Sequence, residues 1–472
     1  MKCAFIAAAT ILCALGANDA PALKKLNVAA VDASGQAVPD LRASDFQVLE
    51  DGKAKSIAFF RFTGGKAMPA ALGPGQVSNR TGIPSQATVI LIDLLSDRFL
   101  SGGIMGKEIG DTLQKLETSD DVYLYFLTSR GDVFPVRGLP EPGSEEVAAA
   151  EPWTRNAGSM VDLAVKKLVG LKPVDDRDIE IRFKETANAL DSLGRQMWQI
   201  PGRKNVVWVT HGVRLIGRSL SGQLLDFTNP VRRLGENFEQ EQIAVYTVQQ
   251  SAHGAGEDLV TEGGQTLDLF ASLAGGRMYR TDDASAAIKD ARTDSKGNYR
   301  IGYETEALNG NGKHHKIKVI CTRKGVRLQT ETEFYALGTP ASADDFERAI
   351  LETAAASPLD ATEIGLRGWV ASGGIAANAR TIELRIAPED LDLRQEQGHY
   401  IGKVSLHIST YDAEDKATAL PAKTIDIDKG YAADGIKISE SIPMDARVRK
   451  VRAIVVDKEL RAVGSITIPI PR

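Results

Sequence analysis

The sequence predicts an α/β chain: a Rossmann-like, doubly wound parallel sheet inserted in a β-sandwich, followed by a C-terminal immunoglobulin-like β-sandwich. Three observations predict it. The run Thr88–Ile92 is apolar and rich in β-branched residues, the mark of a strand covered on both faces, and it stops abruptly at Asp93. Up to residue 292 such runs alternate with segments of helical period, the pattern of a parallel sheet wound by crossover helices. Before and after that region the apolar period returns to two.

At 472 residues the chain has room for about two to four domains. Hydrophobic residues at 43% and charged residues at 25% are those of a globular, soluble protein. A net charge of -5 is small for this length and gives no support for nucleic-acid binding. Residues 1–17 read as a signal peptide. Lys2 supplies the positive start, Ala4 to Leu15 is apolar but shorter than the ~20 residues a membrane span needs, and Ala14-Leu15-Gly16-Ala17 offers small residues for cleavage. Cys13 suggests a lipid anchor as the alternative, but Thr10-Ile11-Leu12 lacks the small residues usual before a lipidated cysteine. The expectation is therefore export, to the periplasm, the envelope or the exterior, with no membrane span. Cys3 and Cys13 leave with the signal, so Cys321 stands alone and no intramolecular disulfide is expected.

In chain order, residues 21–63 carry two or three short strands with a strong hairpin signal at Asp51-Gly52. They are too few to stand alone. The segment 64–86, rich in Gly, Pro, Ala and Ser, reads as a linker. The α/β domain is expected over 87–292, with strands at Thr88–Ile92, Val122–Leu127, Asn205–Val209, Ile243–Val248 and Arg277–Tyr279. Phe183, Ala187, Leu190, Leu193, Met197 and Ile200 form one buried helical stripe, which Pro201-Gly202 ends. A later helix carries Leu267, Phe270 and Leu273, with Thr266 as its expected N-cap and Gly275 as its stop. Residues 293–337 return to period two as a hairpin turned at Asn309-Gly310-Asn311-Gly312, and are expected to complete the sheet begun by 21–63. After a second linker, 338–345, the region 346–472 reads as a short helix and an independent β-sandwich.

Several stretches together resemble one family. VDASGQAVPDLRASDFQVLEDGK, VILIDLL, IPGRKNVVWV, ASLAGGRMYRT, GNYRIGYET and HHKIKV, followed by ASPLDATEIGLRGWVAS, occur in the order and spacing of the von Willebrand factor A-related proteins described mainly from Acidobacteria. The resemblance covers nearly all of the mature chain. It implies an exported protein with a von Willebrand A domain between β-domains, and a family whose molecular function is largely undefined.

The resemblance also implies where to look for a site. Von Willebrand A domains often hold Mg²⁺ or Mn²⁺ with Asp-x-Ser-x-Ser from a first loop, a threonine from a second and an aspartate from a third. Here Asp93-Leu94-Leu95-Ser96-Asp97 keeps the aspartate, Leu95 replaces the first serine, and Asp97 stands where the second would be, with Ser96 able to contribute after a shift of the loop. Thr210-His211-Gly212 puts His211 in the place of the third-loop aspartate, and Thr186 is a loose match to the threonine. A hard cation needs oxygen ligands, and two of the expected ones are replaced. The expected face is therefore Asp93, Asp97, Thr210 and His211, binding a protein or cell-surface polymer without a cofactor. A degenerate Mg²⁺ or Mn²⁺ site on Asp93, Ser96, Asp97 and Thr186 is the alternative. The plainer reading of Asp93 is a carboxylate that caps a neighbouring helix start or bonds amides of its own loop, and of His211 a hydrogen-bonded loop residue. His314 and His315 suggest a metal pair, but neighbours in a strand face opposite ways, and packing is the expected role of His315.

Catalysis has little support. The acid that a haloacid-dehalogenase-type nucleophile would need two residues after Asp93 is Leu95. Gly217-Arg218-Ser219-Leu220-Ser221-Gly222 lacks the spacing of a nucleophile elbow, and Asn309-Gly310-Asn311-Gly312 lacks the lysine of a phosphate loop. The expectation is a non-enzymatic interaction protein, with a structural envelope component second and an extracellular hydrolase third.

Overall fold

The structure, a computed structural model, describes residues 22–63, 72–81, 86–95, 113, 121–140, 156–168, 179–198, 200–250, 257–308, 310–337, 343–357, 359–371, 379–396, 399–429, 435–443, 447–460 and 462–471. The expected signal peptide, Ser96 and Asp97 lie outside the described residues.

The chain opens with β1 (Ala22–Val31), β2 (Phe46–Glu50), β3 (Lys53–Lys55) and β4 (Ile57–Phe62). Asp51 and Gly52 join β2 to β3 with φ of 50° and 78°, the left-handed pair a two-residue hairpin turn requires. The next element, β5 (Val77–Ser78), lies within the segment expected as a linker.

The α/β layer follows: β6 (Thr88–Asp93), β7 (Val122–Leu127), β8 (Val133–Arg137), α1 (Ala157–Leu168), α2 (Ile179–Met197), β9 (Lys204–Thr210), the short β10 (Ile216–Arg218) and β11 (Leu224–Asp226), α3 (Thr228–Gln240), β12 (Ile243–Gln249), α4 (Glu257–Leu273), β13 (Met278–Arg280) and α5 (Ser285–Lys296). The sheet order is β13-β12-β9-β6-β7-β8. All neighbours are parallel except β8, which pairs antiparallel with β7 at the edge. Alternate residues of β6 explain its unbroken apolarity: Val89 and Leu91 face one core with α2, α3 and α4, while Ile90 and Ile92 face another with α1 and α5. Thr266 does not cap α4; the helix begins at Glu257, and Thr266 is buried in its middle. Gly275 does end it, at φ 72°. Gly276 then passes so close to β12 that a Cβ there would lie 1.9 Å from the Val245 carbonyl oxygen. The last helix runs to Lys296, past the expected boundary at 292.

β14 (Asn298–Thr305), β15 (His314–Cys321), β16 (Arg327–Gln329) and β17 (Glu333–Tyr335) return to the opening strands, but not as a hairpin. β14 lies between β1 and β4 in the sheet β16-β1-β14-β4, and β15 lies between β17 and β2 in the sheet β17-β15-β2-β3. The chain therefore crosses from one sheet to the other after residue 305. The reason is burial: Tyr299, Ile301 and Tyr303 of β14 and Ile317 of β15 belong to one core, which a flat hairpin could not enclose. Leu26, Val28, Phe46, Val48 and Phe334 complete that core, so the unit needs both ends of the chain segment.

The remainder comprises α6 (Ala343–Ala356), β18 (Leu366–Val370), β19 (Ala379–Ile386), β20 (Arg394–Glu396), β21 (His399–Tyr411), β22 (Ala417–Ala419), β23 (Lys423–Lys429), β24 (Ile436–Pro443), β25 (Lys450–Asp457) and β26 (Ala462–Pro469). These strands form two antiparallel sheets around one core that includes Leu366, Ile382, Leu384, Leu406 and Val455. One sheet runs β24-β19-β18-β5, so the expected linker supplies its edge strand. Asn79 fastens that strand: its amide donates to the carbonyls of Ala361 (2.7 Å) and Ile364 (2.9 Å) and accepts from the Leu366 N–H (2.9 Å). Nor does the C-terminal unit stand apart, as expected of an independent domain. Asp390 accepts from Arg61 at 2.9 Å and pairs with Arg80 at 2.8 Å, and Trp198 at the end of α2 packs on the cluster of Ala354, Ile454 and Val463.

Arg203, 3% exposed, pins the split unit to the α/β layer. Its guanidinium donates to the carbonyls of Asn27 (3.2 Å) and Gly275 (2.8 Å) and to the Tyr246 hydroxyl (3.2 Å). Nearby, Lys24 on β1 meets Glu239 on α3 at 3.2 Å and Glu331 at 3.8 Å. Burial, and then the charge of Glu239, push the Glu331 carboxyl up to about 7, against the pull of Lys24.

Candidate functional site

The carboxyl ends of β6 and β9 lie side by side, and from this point the chain winds outward in both directions, through β7 on one side and β12 on the other. That is the switch point of a doubly wound sheet, where the diverging loops leave a crevice. Asp93 ends β6 and Thr210 ends β9. Both are buried, and the Thr210 hydroxyl donates to Asp93 Oδ2 at 2.7 Å. The other carboxylate oxygen accepts from the Leu95 N–H at 3.0 Å, and Thr210 Oγ1 accepts from the Gly212 N–H at 3.0 Å. Asp93 thus bonds an amide of its own loop and, through Thr210, ties that loop to the loop of the neighbouring strand.

The loop at 210–213 is fitted tightly. Gly212 takes φ 109°, and a Cβ there would lie 2.9 Å from the Cα of Gly263 on α4. Only glycine allows both the backbone angle and the approach. His211 is half-buried; its carbonyl faces the Gln249 amide at 3.5 Å, and the Gln250 N–H donates to the Thr210 carbonyl at 3.0 Å. Thr186 is buried in α2, and among the described residues no hydrogen bond joins it to Asp93 or Thr210. The Leu95 side chain packs into the core with Leu91 and Val213.

The described residues by themselves do not make up the oxygen shell of a hard divalent cation; Ser96 and Asp97 lie outside them. Among the described residues the crevice offers one carboxylate, already accepting two hydrogen bonds, and one threonine hydroxyl that is spent on it. Leu95 is turned away into apolar packing, and a histidine stands where an oxygen ligand belongs. Mg²⁺ requires about six oxygens in near-octahedral array.

Beside the crevice, directly after this loop, β10 and β11 form a hairpin with Ile216 opposite Asp226 and Arg218 opposite Leu224. Its turn explains the Ser-rich stretch that fails as a nucleophile elbow: the Gly222 N–H donates to the Ser219 carbonyl at 2.9 Å, with Gly222 at φ 84°. The base is anchored. Phe227 stacks on Phe183 of α2 at 4.2 Å, and Gly217 lies so near Ile179 that a Cβ would come within 2.3 Å of it. The Asp226 carboxyl, accepting from Thr228 at the start of α3, is held below its usual range. The hairpin's exposed face is mixed: Ile216 (51% exposed) and Leu224 (62%) share it with Arg218 and Asp226, and Leu220 at the turn is 62% exposed. Together with Ile181 on the first turn of α2, Ile216, Leu220 and Leu224 make four of the six exposed large hydrophobic side chains among the described residues. Three of the four fall on one hairpin, which makes it a candidate contact surface. Sequence reasoning missed this hairpin. Its signal was a Ser-Leu-Ser-Gly turn between Ile216 and Leu224, too short for periodicity to register.

No protein-family model matches the sequence, and no curated protein matches it. Among solved structures, the chain is similar to manganese-loaded TRAP protein from Plasmodium vivax, at 12% identity over 54% of this chain and 94% of that one, with a TM-score of 0.27. It is also similar to a von Willebrand factor type A protein from Catenulispora acidiphila, at 10% identity over 71% and 80%, TM-score 0.29. A third is the ArnB paralog VWA2 from Sulfolobus acidocaldarius, at 6% identity over 66% and 75%, TM-score 0.25. At such identities and TM-scores these likenesses carry no argument about function. What the strand order, the antiparallel edge and the two helical layers show is a doubly wound α/β layer.

Proposed function

We propose that this chain is an exported, non-enzymatic interaction protein of the von Willebrand factor A-related type, binding a protein or cell-surface polymer through the crevice face of its α/β layer. In this reading the two strand units are a split β-sandwich and an immunoglobulin-like β-sandwich, which act as spacers or further contacts. The observation that carries the proposal is the hairpin Ile216–Asp226, with Ile216, Leu220 and Leu224 exposed beside Arg218 and Asp226, standing next to the Asp93–Thr210 tie. A rigid loop pair next to exposed aliphatic side chains suits recognition of a partner surface. The absence of a paired acid, an activated nucleophile or a phosphate loop from the sequence supports a non-catalytic role. Binding proceeds without a resident metal, because Asp93 is committed to Thr210 and Leu95. Among the described residues no helix is long and apolar enough to cross a membrane.

Pull-down from envelope extract tests the proposal, with wild type compared against Asp93→Ala/Asp97→Ala and against Leu220→Asp/Leu224→Asp. One specific partner is expected to be captured by wild type, with or without chelator, and lost with either pair of substitutions. Capture unchanged in both variants overturns the proposal and favours a structural envelope role. Capture by wild type that requires Mg²⁺ or Mn²⁺ overturns its metal-independent part.

A further inference from the structure

Three parts of the chain meet in a cleft of about 460 Å³ at the end of the α/β sheet opposite to Asp93. β4 and β14 of the split unit form one side. Their pairing sets Phe60, Phe62, Tyr299 and Ile301 into that unit's core, so Phe59, Arg61 and Arg300 line the cleft on the other face. Gly202 and Gln242, just before β9 and β12, supply the second side. The third comes from the C-terminal unit, with Glu363, Asp390, Leu460 and Ala462.

The polar groups of this cleft do not satisfy one another. Arg61 and Arg300 lie directly opposite each other on an antiparallel pair, an arrangement that is destabilising for like charges. Burial lowers the Arg61 pKa, and the charges of Arg80 and Arg300 press the same way against the pull of Asp390. Asp390 answers Arg61 at 2.9 Å and Arg80 at 2.8 Å, and also accepts from the Gly365 N–H at 2.8 Å. Arg300 has no carboxylate or other hydrogen-bond partner among the described residues. Glu363 accepts from the Val463 N–H through Oε2 at 3.1 Å, and among the described residues its Oε1 has no partner. Gln242 is 8% exposed, and its Oε1 is buried without a hydrogen bond. One guanidinium, one carboxylate oxygen and one amide oxygen thus stand open in the same cleft. Buried polar groups without partners are rare in a folded protein, and a set of them in one cleft points to an occupant.

We propose that this junction cleft binds a free α-amino acid with an apolar side chain. The Arg300 guanidinium donates to the α-carboxylate, for which its planar fork is suited. The α-ammonium carries three donors, and Glu363 Oε1 and Gln242 Oε1 are acceptors that lack one. A plain anion such as phosphate would answer Arg300 and leave both acceptors open, and a cation alone would do the reverse. A ligand bearing both charges answers all three groups. Phe59, Leu460 and Ala462 give its side chain an apolar surface, and the cleft is of the size that holds small molecules. Because the lining comes from three parts of the chain, the bound ligand fastens them together and stabilises the folded protein. The cleft lies away from the Asp93 crevice, and the inference does not rest on the interaction reading.

Calorimetric titration and thermal unfolding of the full chain test this, with L-leucine and L-alanine as probes. Wild type is expected to bind at least one of them, one molecule per chain, and to melt higher in its presence. For leucine, 4-methylpentanoate lacks the ammonium and 3-methylbutylamine lacks the carboxylate; each should bind about tenfold more weakly or worse, having lost a charge-assisted contact. Arg300→Gln and Glu363→Gln should weaken the amino acid by a similar factor. Arg300→Gln also removes the repulsion on Arg61, so the ligand-free variant should melt no lower than wild type, which separates lost binding from lost folding. A lower melting temperature there would refute the open state of Arg300. The proposal is overturned by no binding of either amino acid at about 10 mM, by unchanged binding in either variant, or by 4-methylpentanoate, phosphate or glucuronate binding as tightly as the amino acid.

Discussion

Replacing Lys24 with methionine should destabilise the junction between the split unit and the α/β layer, and should do so more at alkaline than at acidic pH. Lys24 is 9% exposed and lies 3.2 Å from Glu239 and 3.8 Å from Glu331, with its ammonium also 5.3 Å from the Phe334 ring centroid. Burial opposes its charge, yet the two carboxylates outweigh burial and its pKa is raised. At an effective dielectric constant of ~20 the two contacts correspond to about 5 and about 4 kcal/mol of attraction. Desolvation of the ions, several kcal/mol each, offsets most of this, so the intact set contributes little net stability. Removing the cation alone is different. It leaves two carboxyl groups facing each other in the interior, and the expected loss is about 3–5 kcal/mol at about pH 8.

The pH dependence has a definite sign. Glu331 is raised from its ordinary 4.5 to about 7, first by burial and then by Glu239. Below about pH 4.5 both folded and unfolded chains hold that proton, and its full contribution is present. Between about 4.5 and 7 the unfolded chain releases it while the folded chain does not, so stability falls by about 3 kcal/mol and is flat thereafter. Glu236, raised to about 7 chiefly by burial, acts in the same window. At about pH 5 the Glu331 carboxyl is already protonated, so Lys24→Met leaves one fewer unpaired charge, and the loss should shrink to about 1 kcal/mol. Denaturant unfolding at both pH values, followed by far-UV circular dichroism and tryptophan fluorescence, measures it. Adding Glu239→Gln should recover most of the alkaline loss, because an apolar or neutral replacement of the whole pair is close to neutral. A loss under about 1 kcal/mol at alkaline pH, or the same loss at both, refutes the account.

Three further outcomes follow from single contacts. Gly276→Ala drives a Cβ to 1.9 Å from the Val245 carbonyl oxygen and should cost more than about 3 kcal/mol, seen as loss of soluble protein or a drop in Tm, whereas Gly52→Ala, with nothing within 4 Å, should cost about 1 kcal/mol for its backbone angle. Tyr299→Phe removes an acceptor for the Leu41 N–H (3.0 Å) and a donor to the Val38 carbonyl (2.6 Å), for an expected 1–3 kcal/mol, roughly, by chemical denaturation. Asp93→Ala should speed hydrogen exchange at the amides of Leu95 and Gly212, since it frees one directly and the other through Thr210, and should cost about 1–3 kcal/mol; protection unchanged at both amides would show that the carboxylate does not organise the loops.

Much of this was legible in the residues because it depends on local period. β6 reads as a doubly covered strand because each of its faces meets a separate helical layer, so no position can be polar until Asp93. The stripe of α2 and the Gly275 stop are set within one or two turns of chain, and the hairpin at Asp51-Gly52 by two residues that accept positive φ. Asp93 was found for the same reason: a carboxylate at the end of a buried strand has no apolar neighbour to mimic. Its partner Thr210 was placed at the same face by the resemblance, and the 2.7 Å bond between them follows from the parallel register of β6 and β9.

What the chain order could not express is which surfaces meet. Period two says that β14 and β15 each have a buried face, but not whether they lie edge to edge in one sheet or face to face across a core, and packing around Tyr299 and Ile317 chose the second. A two-residue strand such as β5 is too short to carry a period, so its place at the edge of the C-terminal sheet follows from the fit of Asn79 to three backbone groups far along the chain. Nothing in the local sequence marks Arg203, Lys24 and Glu331 as buried, because burial belongs to the pair of surfaces that close over a residue and not to the residue. The same holds for Glu50 and His315, two strand residues distant in sequence that become neighbours when β2 and β15 pair.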